Sequence, residues 1–181
     1  MNSIQKLWDV HMHSQFSGDS KAPVDSMIKA AQQKGISGIC FTDHLDIDYP
    51  DDPDLFLLDL PNYTNTIQAL ANQFREIFPV RMGIELGLQP HLANLHEDIL
   101  SQYSFDFVIG STHLIDGIDP YFPEFFESRG ERWAYERYFE HCAENIKAFP
   151  ELDSFGHLDY IVRYGPNQNK YYSYKEYADY I

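Results

Sequence analysis

The chain has 181 residues, with 13 Lys+Arg against 28 Asp+Glu and a formal net charge of −15 at pH 7. That length suits one compact domain, while 44% hydrophobic and 23% charged residues argue against global disorder. The acidity argues against a nucleic-acid partner, which calls for a basic stripe, and no apolar run reaches the roughly 18 residues of a membrane span.

Two cysteines, Cys40 and Cys142, make no disulfide framework, and Lys6, Asp9 and His11 interrupt any secretory signal, so the expected setting is cytoplasmic. Along the chain, short apolar runs alternate with amphipathic stretches, the pattern of βα units. Leu7 to His13 is the first run, and a helix opened by Pro23 and Asp25 then stops at Gly35. Ile36 to Thr42 leads through Asp46, Asp48, Asp51, Asp52 and Asp54 into a helix from Asn62 to Phe78. Val80 to Leu86 precedes a helical stretch from Pro90 to Gln102. Phe105 to Gly110 is followed by an aromatic loop, then by a helix that Ser128 and Glu131 open at capping-box spacing. Ser154 to Leu158 is the last run, and Ser173 with Glu176 opens a terminal helix. These units fit a parallel α/β sheet, doubly wound or arching toward a barrel. They are too few to close a barrel, which leaves an unpaired strand edge at each end of the arc.

Parallel βα folds carry their chemistry at the carboxyl ends of the strands. His11 and His13 end the first strand, His44 follows the second, His113 follows the fourth and His157 closes the fifth. The third contributes Glu85, a carboxylate inside an apolar strand, which is costly unless paired or metal-bound. His11 and His13 share a face because side chains alternate with period two. Each histidine alone reads as structural; together they favour a multinuclear metal site. His91, His96 and His141 fall in helices and read as solvated or partly buried.

The ordered set His11-x-His13, Asp19, Thr42-Asp43-His44, Gly83-Ile84-Glu85, Ser111-Thr112-His113 and Gly156-His157-Leu158-Asp159 resembles the PHP (polymerase and histidinol phosphatase) superfamily. The likeness is nearest to its monofunctional histidinol-phosphate phosphatases, and Asp116-Gly117, Tyr121 to Phe125 and Arg163 to Asn167 extend it. It implies a distorted (β/α)7 TIM-like barrel, here about five βα units plus a last helix, forming a single domain over 1–181 that lacks the last strands. It also implies two or three divalent ions (Zn, Mn or Fe). His11, His13 and Glu85 would hold one, bridging Glu85 with His113 and His157 a second, and Asp19 with His44 a third. A late Asp-x-His motif of the family has no counterpart before Ile181. Such barrels run to roughly 250 residues, so an incomplete one is expected.

The reaction implied is hydrolysis of a small phosphorylated substrate, L-histidinol phosphate of histidine biosynthesis, through a metal-bridged hydroxide. Glu85 and His113 are the expected catalytic residues. Arg163, and alternatively Arg129, would clamp phosphate, and the acidic run after the second strand reads as a solvated loop or an attractor for the leaving group's cations. The aromatic loop reads as a lid, an interface or packing. The open barrel edge would allow self-association. Competing readings are an amidohydrolase-type deaminase, a nuclease-like domain and an inactive or truncated metal-binding module.

Overall fold

The computed structural model describes residues 7–50, 52–127, 129–170 and 172–181. Six short parallel strands occupy five positions in the order β1-β2-β4-β5-β6, with β3 pairing β4 in line with β2. They are β1 (Trp8–Asp9), β2 (Gly38–Phe41), β3 (His44–Leu45), β4 (Val80–Gly87), β5 (Phe107–Ser111) and β6 (Ser154–Gly156). The rings of His11 and His157, just beyond the two edge strands, lie 4.7 Å apart. In a flat sheet, strands four positions apart would be separated by about 19 Å. The sheet is therefore strongly curled, as an incomplete TIM-like barrel, with its strand ends converging on one point.

Strand β4 is the pivot, and its sequence says why. Ile84 and Leu86 point outward into the main core with Ile39, Phe41 and Ile67. Their neighbours Gly83, Glu85 and Gly87 face inward by period-two alternation. A Cβ on Gly83 would strike Thr42 and the Cys40 sulfur, and one on Gly87 would strike the Asp46 carboxylate. Glycine is needed at both positions so that other side chains can reach the interior.

Helices α1 (Val24–Gln33), α2 (Leu60–Phe74) and α3 (Ala93–Gln102, after a 3-10 turn at Pro90–Leu92) cover this sheet. Helix α1 starts after Pro23 and ends at Gly35, whose φ of 73° is the left-handed conformation that glycine adopts freely. Helix α2 begins two residues earlier than the sequence suggests because Asp59 caps it, accepting from Asn62 N. Its Tyr63 hydroxyl donates to the carbonyls of Phe41 and Gly83, filling the gap where β2 breaks before β3.

A second core joins α4 (Glu124–Glu127), α5 (Glu131–Ala148), α6 (Tyr160–Tyr164) and α7 (Tyr174–Tyr177). Phe125 and Phe126 are buried in it, so this end of the aromatic loop is packing, whereas Tyr121 is 62% exposed. Two expected strands are shorter than their apolar runs: β1 covers only Trp8–Asp9 and β6 stops at Gly156, because His157 takes a φ of 52°. The Ser173–Glu176 box does not form. Ser173 makes no side-chain cap, and Glu176 pairs with Arg132 instead, at 3.2 Å. Ser128 lies outside the described residues.

His96 on α3 corrects the expectation of an ordinary helical histidine. It is fully buried, edge-on to Phe149, with neither ring nitrogen hydrogen-bonded. Burial drives its pKa down to about 4 from 6.5. The folded chain keeps it neutral, while the unfolded chain protonates it near pH 6.5. Its stabilising contribution is complete above pH 6.5 and disappears as pH falls toward 4, a loss on the order of 3 kcal/mol. His96→Leu is expected to remove that acid sensitivity, read as the difference in denaturant stability between pH 7.5 and pH 5. Equal acid losses in both proteins would show that His96 is not its source.

Candidate metal centre

Five strand positions deliver ligand-type side chains to the curl's interior. His11 and His13 come from the segment after β1, His44 from β3, Glu85 from β4, His113 from just beyond β5 and His157 from just beyond β6. The fully buried Glu85 carboxylate is the hub. Its Oε2 lies 3.0 Å from His11 Nε2, 2.8 Å from His13 Nε2 and 3.5 Å from His44 Nδ1. Its Oε1 lies 3.4 Å from His113 Nε2 and 3.3 Å from His157 Nε2. Ser111 Oγ donates to Oε1 at 2.7 Å, and a Cβ on Gly156 would displace that serine. The carboxylate therefore faces one group of imidazoles with each oxygen.

A second tier orients the rings. Asp19 Oδ2 lies 3.1 Å from His13 Nδ1 and 3.7 Å from His44 Nε2. Asp43, from the Thr42-Asp43-His44 motif, does not face the cluster. It accepts from Ser14 N, Ser14 Oγ and Ser17 Oγ and so anchors the loop that carries Asp19.

Asp46 is a residue that the sequence placed in a run read as a solvated loop or an attractor for the leaving group's cations. It is 3% exposed, with Oδ1 2.6 Å from His113 Nδ1 and Oδ2 3.1 Å from His44 Nδ1. Period-two spacing from His44 was the signal for it. The remainder of the acidic run divides: Asp48 pairs with His91 at 3.1 Å, Asp52 lines the cavity and Asp54 is exposed, while Asp51 lies outside the described residues.

Burial opposes charge on Glu85, but its surrounding histidines outweigh it and hold the carboxyl well below its usual range. Burial likewise opposes charge on His13, yet the hydrogen bond with Asp19 and the close Glu85 carboxylate raise it to about 9. The same contest, won by Asp46, keeps His113 well above the ordinary imidazole value. The hydrogen bond with His13 is the main cause of the depressed Asp19 carboxyl.

Distances alone would describe a set of ion pairs, but alignment does not. His13 Nε2, His44 Nδ1 and Asp46 Oδ2 are buried without a hydrogen bond, although opposite charges stand close. Buried polar atoms left so need another partner. Three groups bring donor atoms within 4.8 Å of one another: His11, His13 and Glu85; His13, Asp19 and His44; and His44, Glu85 and His113. Imidazole nitrogens and carboxylate oxygens suit Zn, Mn or Fe. The residues fit a divalent metal site.

Beside the cluster lies a cavity of about 480 Å³, walled by Tyr49, Phe56, Phe122, Tyr160 and Tyr164 and reached by Arg163. Arg163 rises from α6 with its guanidinium 5.5 Å from the Tyr164 ring. Arg129 stacks 4.5 Å over Trp133 and does not line this cavity.

A family model described as the PHP domain matches residues 9–181. The chain belongs to the PHP domain family. A protein of Clostridium acetobutylicum named a probable histidinol-phosphatase is 33% identical over 175 residues, which are 97% of this chain and 66% of that protein. The histidinol-phosphatase of Lactococcus lactis is 34% identical over 166 residues, covering 91% and 61% respectively. The crystal structure of the histidinol phosphate phosphatase from Lactococcus lactis, complexed with zinc, L-histidinol and phosphate, superposes with a TM-score of 0.89 at 33% identity. That match covers 97% of this chain and 66% of the solved one. The chain thus spans a little under two thirds of the length of these relatives. No helix of the described residues is long and apolar enough to cross a membrane.

Proposed function

We propose that this chain carries the metal-holding part of a phosphomonoester hydrolase acting on L-histidinol phosphate. The observation that carries the reading is the buried Glu85 carboxylate, facing imidazoles at both oxygens while neighbouring nitrogens lack hydrogen bonds. The names of the relatives supply the substrate. His11, His13 and Glu85 would hold one divalent ion, and Glu85, His113 and His157 a second. Asp19 and His44 would hold a third, with His13 near enough to share it.

Such ions, when bound, acidify water and neutralise charge on phosphoryl oxygens. The chain's own residues do the remaining work. Asp46 fixes the ring of His113 through its Nδ1 atom, as outer carboxylates do for metal-bound histidines. Ser111 holds one oxygen of Glu85 in place. Arg163 reaches the cavity with a planar fork suited to two phosphoryl oxygens. The aromatic walls take the leaving alcohol and limit water around it. Hydrolysis breaks the phosphorus–oxygen bond of the ester, leaves water's oxygen on phosphate and delivers a proton to the alcohol.

The test is phosphate release from L-histidinol phosphate by the purified chain, with elemental analysis of the same preparation. Divalent metal should co-purify, and a chelator should abolish turnover and lower the melting temperature. Absence of Zn, Mn and Fe above background would overturn the reading. So would a metal-loaded chain, folded by circular dichroism, that releases no phosphate.

A further inference from the structure

Of the five histidines around Glu85, His157 is the least constrained through its ring. Its side chain is 37% exposed, against 31% or less for the other four. Asp19 stands behind the His13 ring and Asp46 behind that of His113. Among the described residues nothing bonds to the Nδ1 of His157, the atom through which metal-held histidines usually take their aim. Yet its Nε2 lies 3.3 Å from Glu85 Oε1. Something other than a partner on the ring must set that direction.

The backbone does so. At His157 the chain leaves β6, and three residues later it begins α6. The turn puts His157 at a φ of 52°, a left-handed conformation that a residue with a side chain keeps only when its surroundings hold it there. Two donors grip its carbonyl: Tyr160 N, in the first turn of α6, at 2.8 Å, and Tyr138 Oη, from α5, at 2.5 Å. The first is local and moves with the turn. The second comes from a fully buried ring on an 18-residue helix, and it ties the turn to the rest of the molecule.

Tyr138 does not act from an arbitrary place. With Cys142 and Asn145 it lies at i, i+4 and i+7 on the buried face of α5. Asn145 Nδ2 donates to the Leu88 carbonyl and to Oγ1 of Thr112, the residue before His113. Cys142 lies between, its thiol against the Thr112 and Tyr138 side chains. Among the described residues, side chains of α5 thus bond to the segments that carry His113 and His157, and to none that carries His11, His13, Asp19 or His44.

We propose that Tyr138 is a positioning residue for the ion assigned to Glu85, His113 and His157: its hydroxyl holds the left-handed turn that aims the His157 ring at Glu85. The proposal rests on the phosphatase reading for His157 as a ligand. It goes beyond that reading by giving one helix control of one ion.

The test is calorimetric titration of the metal-stripped chain with zinc chloride, for the wild type, His157→Ala, Tyr138→Phe and Tyr135→Phe. Phe keeps the ring, and the His157 carbonyl retains Tyr160 N, so Tyr138→Phe should fold without metal, as judged by circular dichroism. His157→Ala marks the ion in question by the site it weakens. Tyr138→Phe should weaken that same site by at least about tenfold, the usual cost of losing an outer partner, and spare the others. Tyr135→Phe removes a hydroxyl of the same helix that donates to the Gln168 carbonyl, away from the cluster, and should match the wild type. A Tyr138→Phe titration that matches the wild type, or equal weakening in Tyr135→Phe, would overturn the proposal. So would zinc binding untouched by His157→Ala. A Tyr138→Phe chain unfolded without metal would overturn it as well, since the hydroxyl would then serve the core rather than His157. Phosphate release by the wild-type chain is scored separately. Selective weakening by Tyr138→Phe in a chain that hydrolyses nothing would support the positioning role while the phosphatase reading fell. Turnover by the wild type, with zinc binding unchanged in Tyr138→Phe, would do the reverse.

Discussion

Replacing Glu85 with Gln is expected to lower kcat/KM for L-histidinol phosphate by about 10³-fold and to deplete bound metal. Five histidines place a ring nitrogen within 3.5 Å of this one carboxylate, and it has no exposed surface. Removing one partner of such a buried, paired set costs about 3–5 kcal/mol, which alone corresponds to roughly 10²–10⁴ in affinity or rate. Gln keeps the shape and can still accept from Ser111, so the fold should survive, as judged by circular dichroism. What it loses is the charge that lets two donor groups share a single residue. Elemental analysis and steady-state kinetics check the two halves together. Wild-type metal content with activity within threefold would remove Glu85 from the centre of the site.

Glu85 was legible in the sequence for the reason that makes it vulnerable. A carboxylate in an otherwise apolar strand has few uses, and Gly83 and Gly87 on the same face mark crowded inward positions where no other side chain fits. The histidines were legible because each lies at or near the end of an apolar run, where a parallel fold presents side chains. Asp46 was not, because four further aspartates disguise it as part of a solvated loop. Its distinction lies in the two-residue step from His44 along an extended segment, which keeps both on one face. Tyr138 escaped notice for a different reason: its hydroxyl reaches from α5 to the His157 carbonyl, a pairing between chain segments that no spacing announces. The elements that escaped were the short ones. Helices α4 and α6 span four and five residues, too few for a helical period to register. The break between β2 and β3 depends on Tyr63, which arrives from α2, so nothing within the strand's own sequence announces it. His96 likewise reads as ordinary until Phe149 closes over it.

Arg163→Ala is expected to lower kcat/KM by about 10²-fold while leaving metal content and melting temperature unchanged. The separation follows from where the residue stands. Arg163 is exposed on α6, three residues after Tyr160 and six beyond His157, so it reaches the cavity without joining the histidine cluster. Its guanidinium rests near Tyr164, a surface contact whose loss has little bearing on stability. A phosphoryl group beside the cluster would meet its planar donor fork, and truncating a charge partner of that kind typically costs 2 kcal/mol or more. Arg163→Lys should recover only part of the loss, since an ammonium keeps the charge but not the paired geometry. Arg129→Ala provides the contrast. That side chain stacks on Trp133 outside the cavity, so its removal should change activity by no more than about twofold. Unchanged kinetics in Arg163→Ala, or equal losses in both arginine variants, would show that phosphate is gripped elsewhere.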